Sequence, residues 1–433
     1  MSGVLWKKRK AYSLGIPKKK LAHGVSQTEE EYAYGRRYTK IGAMEELFGR
    51  DRLTEALRGK VREMIMALAE AELAEVLAAG SYERSEGRRG YRNGKRQRSI
   101  STGLGATVIE LPRARISAGE RDKEWRSGLI ERYQRRASSV DRALLGCYLS
   151  GANGRRIRGA LSPLLRGAPL SKSAISRLVG RLEALFTQWR SRSLATEAVV
   201  FLYLDAIVLR VRIAKKVISV PVLVGLGIKE DGQKVILDLE LFQSESSSCW
   251  EGFFEGLISR GLKPPCLVII DGNKGLRAAV EKNWPGAALQ RCTVHKLRNL
   301  ERYAPRHALE EVKTDYHRIV YAESLEHAKK AYRDFISKWK KLASKVVVSL
   351  EEAGEELLSF YRFPKSQWKS LRTTNSIERL NGEFRRRVKT QSSLPDARTA
   401  ERLLFGLIIS GQIQMRRIDG WRDLKQVSPL KAA

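Results

Sequence analysis

Residues 199–212 read VVFLYLDAIVLRVR, residues 216–228 read KVISVPVLVGLGI, and residues 234–243 read KVILDLELFQ. All three runs are alternating or continuously apolar and rich in β-branched residues, which is typical of strands. Short polar turns separate them, at 213–216 and 229–232. The sequence therefore predicts an antiparallel meander of three strands near the middle of the chain.

The elements after the meander decide how its sheet is completed. The patterns predict a helix at 249–261, the buried strand CLVIIDG at 266–272, a helix at 274–283 and a short strand at 287–292. This order is the one that a ribonuclease-H-like domain requires, a mixed sheet with helices on its faces. In such a sheet the first and fourth strands are neighbours. The predicted fold class is therefore multidomain α/β, with this ribonuclease-H-like mixed sheet as its core.

Two aspartates lie within or at the end of these apolar strands. Asp205 is inside the first strand, where a buried, unpaired carboxylate costs several kcal/mol. Asp271 ends the fourth strand, at the edge where sheets usually place ligands. Adjacent carboxylates repel unless a cation lies between them, and hard divalent ions prefer oxygen ligands. Taken singly, a structural hydrogen bond explains Asp205 and a turn explains Asp271-Gly272; together they favour a metal site.

A third acidic ligand is harder to assign from spacing. Glu378 stands in TTNSIERLN at 373–381, at the start of a helix predicted to begin near Asn375. Asn375 and Glu378 also fit a capping box, in which the glutamate would only bond the start of the helix. Glu383 is a competing ligand. Spacing alone does not choose between these alternatives.

The N-terminal part predicts DNA-binding modules. Residues 41–79 have helical periodicity, and turn signals at Asn93-Gly94 and Gly103-Leu104-Gly105 then flank short alternating segments of a small antiparallel unit. The unit carries clustered basic residues that are candidate DNA contacts: Arg88, Arg89, Arg92, Lys95, Arg96 and Arg98. A solvated basic surface without a ligand is the alternative.

A helix-turn-helix is predicted after this unit. An apolar helix at 140–149 precedes a Gly-rich break, and a second helix begins near Arg155. Ser171 or Ser173 would cap a third, the recognition helix, whose early residues reach base edges. Its candidate contacts are Lys172, Ser173 and Arg177. A helical hairpin without a DNA ligand would give the same pattern.

The charge of the chain points to a polyanionic partner. Lys and Arg number 81 and Asp and Glu 48, a net charge of +33 with a pI near 10.2. Such an excess favours nucleic acid, whose phosphates release counterions on binding. A membrane is disfavoured because no run of about 18 apolar residues occurs. The basic N-terminus lacks the apolar core of a secretory signal and predicts an arm that touches phosphates.

The cysteines give no metal or disulfide framework. The four of them lie far apart without a CxxC pair, which favours a reducing, cytoplasmic compartment. Cys292 and His295 form a lone CxxH pair that lacks two ligands for a zinc site, so packing or placement of DNA is the favoured role. Trp250 and Trp339 could stack on an unpaired base, although core packing is favoured for both.

Several motifs in register resemble one family. They are LYLDAIVLRVR at 202–212, LVIIDGNKGLRAAV at 267–280, QRCTVHKLRNL at 290–300 and TTNSIERLNGEFRRR at 373–387, with YRNGKRQRSISTGLG at 91–105, LPRAR at 111–115 and LSKSAISR at 170–177. Together they resemble the Mutator-type bacterial insertion-sequence transposases from about residue 40 to 415. Two positions depart from the usual pattern: Val208 replaces an aromatic residue, and Asn273 replaces a frequent histidine.

The resemblance implies a ribonuclease-H-like core with an Asp-Asp-Glu triad, here Asp205, Asp271 and Glu378. It implies two-metal phosphoryl transfer with Mg²⁺, for which Mn²⁺ substitutes, and a nucleoid-associated homodimer that binds the terminal inverted repeats and target DNA. Residues expected to support the active site are Cys292, His295, Arg298 and Asn381. An idle DNA-binding protein derived from a transposase and a simple metal-dependent nuclease are the alternatives.

The expected domain organisation follows from these assignments. Its segments are a basic arm and helical region at 1–80, a small basic β unit at 81–128, a helix-turn-helix region at 129–195, the first part of the core at 196–298, a helical insertion at 299–368, the second part of the core at 369–418 and a tail at 419–433.

Overall fold

The computed structural model describes most of the chain: residues 51–117, 122–152, 154–165, 172–242, 244–391 and 393–427. The predicted basic arm, the first ten residues of the predicted N-terminal helical region, Ser171 and the end of the tail lie outside them. No helix among these residues is long and apolar enough to cross a membrane.

The N-terminal unit consists of one helix packed on a small antiparallel sheet. Its elements are α1 (Arg52–Leu77), β1 (Gly90–Thr102), β2 (Gly105–Ile116) and β3 (Lys123–Trp125). Asp51 caps α1 by accepting a hydrogen bond from the Thr54 backbone N–H at 2.9 Å. Leu73 and Leu77 bury their side chains against Ala114 and Trp125, so the apolar stripe of the helix covers one face of the sheet.

One of the two predicted turns in this unit is wrong. Gly103-Leu104 does connect β1 to β2, but Asn93-Gly94 lies inside β1. Arg92 pairs with Ala114 and Lys95 with Pro112, so β1 holds one extra residue there and forms a bulge. Gly94 has a φ of +71°, which a bulge accommodates as well as a hairpin turn does.

Three helices follow, as predicted. They are α2 (Ser138–Leu149), α3 (Gly154–Leu165) and α4 (Lys172–Arg190). Because α4 begins at Lys172, Ser173 lies in its first turn and is not its cap, which corrects that alternative. α2 also packs against α4, with Leu144, Leu149 and Phe186 in the shared core.

The central sheet has five strands in the order β6-β5-β4-β7-β8. The strands are β4 (Val199–Ile213), β5 (Lys216–Lys229), β6 (Lys234–Leu241), β7 (Leu267–Ile270) and β8 (Ala288–Arg291). The first three form the predicted antiparallel meander, and β7 and β8 add in parallel. The predicted adjacency of the first and fourth strands is confirmed. Ala214 and Lys215, both with positive φ, form the tight turn from β4 to β5.

Both faces of this sheet are covered. Leu202 and Leu204 point to the face that α5 (Ser247–Ser259) and α6 (Lys274–Asn283) cover, where Trp250 is 1% exposed. Phe201 and Tyr203 point to the opposite face, towards the helices of the C-terminal half. Each fully buried side chain of this size contributes roughly 2 kcal/mol. A sheet buried on both sides explains the nearly continuous apolar sequence of β4.

Helices fill the chain beyond β8. They are α7 (Thr293–Tyr303), α8 (Leu309–Val320), α9 (Leu325–Leu342), α10 (Ser344–Ala353), α11 (Trp368–Leu371), α12 (Asn375–Lys389) and α13 (Ala397–Ile409). Trp339 is 1% exposed and donates to Asp315 Oδ2 at 3.1 Å, so core packing is confirmed for it as for Trp250. α12 starts against β4 and ends at Lys389. The hydroxyl of the next residue, Thr390, lies 2.8 Å from the Arg387 carbonyl oxygen and 3.1 Å from that of Gly151, between α2 and α3.

Candidate active site

Strand register brings the two aspartates together. The parallel pairing of β4 with β7 ends at Tyr203 and Ile269, and Asp205 and Asp271 each follow two residues later. The charge of Asp271 acts on Asp205, which agrees with their position at the same end of the two strands. Neighbouring strands lie about 4.8 Å apart. Asp205 has the same alternation as Phe201 and Tyr203, so its side chain is on the face that α12 covers.

The carboxylate of Asp205 carries a poorly compensated charge. Burial, and then the like charge of Asp271, raises its pKa from 3.8 to about 6. Two hydrogen bonds limit the rise: the Ala206 backbone N–H donates to Oδ1 at 2.9 Å, and Asn381 Nδ2 donates to Oδ2 at 2.7 Å. The site therefore lowers its free energy by taking up either a proton or a cation.

Asp271 is fixed by the turn that follows β7. Its Oδ1 accepts from the Asn273 backbone N–H at 2.9 Å. Gly272 has a φ of +108°, and a Cβ there would lie 2.5 Å from a terminal nitrogen of the buried Arg291 guanidinium. Asn273 caps α6 by accepting from the Gly275 and Leu276 backbone N–H groups at 2.9 and 3.1 Å. Asn273, which stands where the family pattern often has a histidine, thus has a structural role as a helix cap.

Sequence reasoning missed a further carboxylate, Glu245. It lies just before α5, and its Oε2 accepts from Asn273 Nδ2 at 3.3 Å. Burial, and then the charge of Asp271, raises its pKa. The surrounding run of serines gives no sign of this role, because only the folded chain brings the segment to the end of β7.

Helix α12 contributes Glu378 and Asn381 from one face. Three residues apart, they are separated by about 60° around the helix. Asn381 is fully buried and touches Asp205, so Glu378 lies one turn of helix from a residue in contact with the first aspartate. Glu378 Oε1 accepts from the Thr374 hydroxyl at 2.5 Å.

The two alternatives for the third carboxylate are not supported. The N-cap of α12 is Thr374, and Glu378 accepts from its hydroxyl instead of bonding a backbone N–H at the helix start, so the capping-box interpretation is wrong. Glu383 is ion-paired with Arg386 and Arg387 of the same helix. It lies about 140° around the helix from Glu378.

The CxxH pair lies beside Glu378. His295 Nδ1 is 3.8 Å from Glu378 Oε1, and the Cys292 sulfur, a His295 ring nitrogen and a Glu378 oxygen lie within 4.8 Å of one another. The hydrogen bond with Cys292 raises the pKa of His295 to about 9 against the effect of burial, and the charges of Glu378 and Asp271 add to the rise. The charge of His295 in turn lowers the pKa of Asp205. Glu378 therefore lies next to His295, and the charges of His295, Asp205 and Asp271 act on one another.

Buried cations hold this histidine's helix in place. Lys296 of α7 donates to the Ser349 carbonyl at 2.7 Å and to Glu352 Oε2 at 2.6 Å, both on α10. Arg291 bonds the same Glu352 at 3.2 Å. Arg298, one turn beyond His295, is exposed on α7. These contacts tie α7 to α10 and β8, so His295 is presented from a rigid element.

Comparison with known proteins places the chain in a family. A profile described as "Transposase, Mutator family" matches residues 35–415. The chain belongs to the Mutator family of transposases. It is similar to the transposase for insertion sequence element ISRM5 of Rhizobium meliloti, with 34% identity over 82% of this chain and 87% of the relative. It is also similar to the transposase for IS1081 of Mycobacterium tuberculosis, with 32% identity over 84% of this chain and 86% of the relative. The transposase for IS256 in Tn4001 of Staphylococcus aureus is 32% identical over 79% of this chain and 86% of the relative.

The basic residues predicted to contact DNA differ in their surroundings in this Mutator family transposase. Arg92 is ion-paired with Glu70 of α1, and Arg98 donates to the carbonyls of Glu131 and Gln134 at 3.0 and 2.7 Å. Arg88 donates to the Gly90 and Glu83 carbonyls. Three others are exposed on β1 or just before it: Arg89, Lys95 and Arg96. On α4, Arg177 is exposed, and Lys172 and Ser173 occupy the first turn.

The donor set of the transposase fits a hard divalent ion. Asp205, Asp271 and Glu378 supply carboxylate oxygens, the ligands that Mg²⁺ prefers. Asn381 Oδ1 is buried without a hydrogen-bond partner among the described residues, although its amide nitrogen bonds Asp205. A buried orphan oxygen beside two repelling carboxylates is what a cation or its bound water would satisfy.

Proposed function

We propose that the protein is an insertion-sequence transposase that binds the terminal inverted repeats of its element and cleaves and joins DNA at Asp205, Asp271 and Glu378. One observation carries the proposal: burial and the charge of Asp271 raise the pKa of Asp205 to about 6, and Asp205 is bonded by Asn381 of α12. The first turn of the same helix holds Glu378, 3.8 Å from His295. Family membership over residues 35–415 supports the reaction class.

The metal chemistry would be that of a two-ion site. Asp205, Asp271 and Glu378 would hold the Mg²⁺ ions through their carboxylate oxygens, and Mn²⁺ would substitute. When bound, the ions supply charge stabilisation to the attacking and leaving oxygens of an in-line displacement. The attacking oxygen is water in cleavage and the DNA 3′-hydroxyl in joining, so no side chain forms a covalent bond with DNA.

The protein's own residues prepare the carboxylates for this task. Asn381 orients Asp205 through the 2.7 Å bond to Oδ2, and the turn at Gly272 and Asn273 orients Asp271. Preorganised ligands avoid the cost of rearrangement when charge develops in the transition state. Glu245, next to Asn273, adds negative potential at the same edge of the sheet.

The architecture would divide the work between two regions. The strand order β6-β5-β4-β7-β8 supports a ribonuclease-H-like core, with the helices at 299–368 as its insertion. The β unit at 81–128 and the three helices at 129–195, the proposed helix-turn-helix region, would bind the ends, mixing phosphate and base contacts. A homodimer would hold the two ends of one element together.

The test is strand cleavage and joining on DNA that contains the element's ends, with Mg²⁺ present. Asp205→Ala and Glu378→Ala should lose both activities by at least about 10³-fold, because each removes a ligand of the reacting centre. DNA binding, measured by fluorescence anisotropy, should persist in both variants. Glu383→Ala is the matched control on the same helix and should remain active.

The outcomes separate the proposal from its alternatives. Joined products from the unmodified protein support a transposase, whereas nicks without joining would indicate a nuclease. DNA binding without any metal-dependent product would indicate an idle binder. Joining activity that survives in Asp205→Ala would contradict the proposed site.

A further inference from the structure

Thr374 lies at the centre of the polar contacts around Glu378. Its side chain is fully buried, and its hydroxyl lies 2.5 Å from Glu378 Oε1, 3.2 Å from the Cys292 sulfur and 3.4 Å from His295 Nδ1. Its backbone N–H donates to the same sulfur at 3.4 Å. One threonine thus connects the CxxH pair at the start of α7 with the helix that carries the glutamate.

The direction of these hydrogen bonds follows from the chemistry of a hydroxyl. Threonine has one proton to donate and two lone pairs that accept. The carboxylate of Glu378 is the nearest of the three partners, and a hydrogen bond to a charged acceptor is about twice as strong as a neutral one. The proton therefore goes to Glu378, and the hydroxyl oxygen remains available to accept from His295 Nδ1.

We propose that Thr374 is a positioning residue that holds the Glu378 carboxylate ready to bind a divalent cation, with Cys292 and His295 as its anchor. The inference rests on the proposed function, and it gives the CxxH pair a role that requires no metal. The anchor is rigid, because Cys292 is buried and the Thr293 N–H and hydroxyl both donate to the Arg372 carbonyl at 2.9 Å.

Glu378 needs such a partner because it is otherwise loosely held. Its side chain is 31% exposed and has three rotatable bonds, whereas the shorter Asp205 and Asp271 are bonded to backbone N–H groups. Partners that orient metal ligands from outside the coordination sphere typically change metal affinity by about 10- to 100-fold when they are removed.

The test uses Mn²⁺ binding to the full-length, metal-free protein, followed by electron paramagnetic resonance of the free ion. Thr374→Val removes the hydroxyl and keeps the shape, and we expect it to weaken Mn²⁺ binding by about 10-fold or more. Thr374→Ser restores the hydroxyl and should restore binding. Cleavage by Thr374→Val should need correspondingly more Mg²⁺ while DNA affinity is unchanged.

Thr373→Val is a matched control. Thr373 is the adjacent residue, is also buried, and its hydroxyl has no hydrogen-bond partner among the described residues. The Thr373→Val variant should bind Mn²⁺ as tightly as the unmodified protein does. Equal weakening by Thr373→Val and Thr374→Val, or no weakening by Thr374→Val, would overturn the inference.

A second variant covers the case in which Thr374→Val does not fold. Cys292→Ala removes one anchor without a change in the sequence of α12, and it should weaken Mn²⁺ binding in a protein that still melts cooperatively. Unweakened binding in that variant would overturn the anchoring role of Cys292. If the unmodified protein cleaves DNA without any divalent ion, the proposed function itself fails; if it needs the ion but Thr374→Val behaves normally, only the positioning role fails.

Discussion

At the scale of single residues, the buried carboxylate of Asp205 lowers the stability of the folded protein at neutral pH. This carboxylate lies in an apolar strand, beside another carboxylate, and its pKa of about 6 lies above the usual 3.8. The folded protein therefore holds the Asp205 proton more tightly than the unfolded chain does. Stability from this group is greatest below pH 4 and falls as the pH rises through about 6.

Asp205→Asn should consequently stabilise the metal-free protein at neutral pH. The difference between 3.8 and about 6 corresponds to roughly 3 kcal/mol in the free energy of unfolding. We expect the gain to be nearly complete above pH 6, small at pH 4 and absent well below pH 4, where the carboxyl is protonated in both the folded and the unfolded state. Denaturant unfolding of both proteins between pH 4 and 8 measures it. A gain that does not depend on pH would contradict the electrostatic cause.

Gly272→Ala should disturb the second aspartate through its neighbour. The new Cβ would take a φ of +108°, which L residues rarely adopt, and would press on the Arg291 guanidinium, which Glu352 holds. We expect a loss of more than about 1 kcal/mol in unfolding free energy, together with weaker Mn²⁺ binding. Gly286→Ala, in open space with no positive φ, is the control and should be nearly neutral.

At the scale of elements, the β1–β2 hairpin combines structural and exposed cations. Arg92 and Arg98 bond protein groups, whereas Arg89, Lys95 and Arg96 are exposed. The hairpin rests on α1 through a small apolar core, so its exposed edge can meet DNA without losing its own packing. These three side chains are therefore the ones to test.

A variant in which Arg89, Lys95 and Arg96 are all replaced by alanine should bind DNA more weakly. Its affinity should also depend less steeply on salt concentration. If each contacts one phosphate, the slope of log affinity against log salt should fall by about 3. Fluorescence anisotropy at several salt concentrations measures the slope.

The control for that variant removes the same charge elsewhere. Lys60, Lys282 and Lys329 each pair with a glutamate, and their combined replacement with alanine should change the slope much less. Equal effects of the two variants would mean that net charge, and not the hairpin, governs binding.

At the scale of the whole molecule, the sequence predicted the central sheet well because its signals are local. Apolar runs and their turns gave β4 to β8, and the order of elements gave the contact between β4 and β7. Asn93-Gly94 misled because bulges and hairpin turns favour the same positive φ. A local sequence pattern such as Asn-Gly indicates the backbone conformation, but it does not tell whether the chain turns there or continues the same strand.

The site itself needed the tertiary structure. Asp205 and Asp271 could be named as candidates because charge inside apolar strands is conspicuous. Glu378 became a candidate only through the resemblance, since spacing alone also allowed a helix cap. Glu245 and Thr374 gave no signal, because their roles depend on contacts with residues far along the chain, Asn273 and Cys292.

Helix α12 also joins two regions that the chain order keeps apart. Its first turn holds Glu378, and just beyond its last turn Thr390 contacts Gly151, between α2 and α3. A helix of this length is a rigid element of about 22 Å that neither shortens nor bends easily. If the α2–α3 segment moves when it binds a transposon end, we expect α12 to move with it and to displace Glu378. DNA recognition and DNA cleavage would then be mechanically coupled.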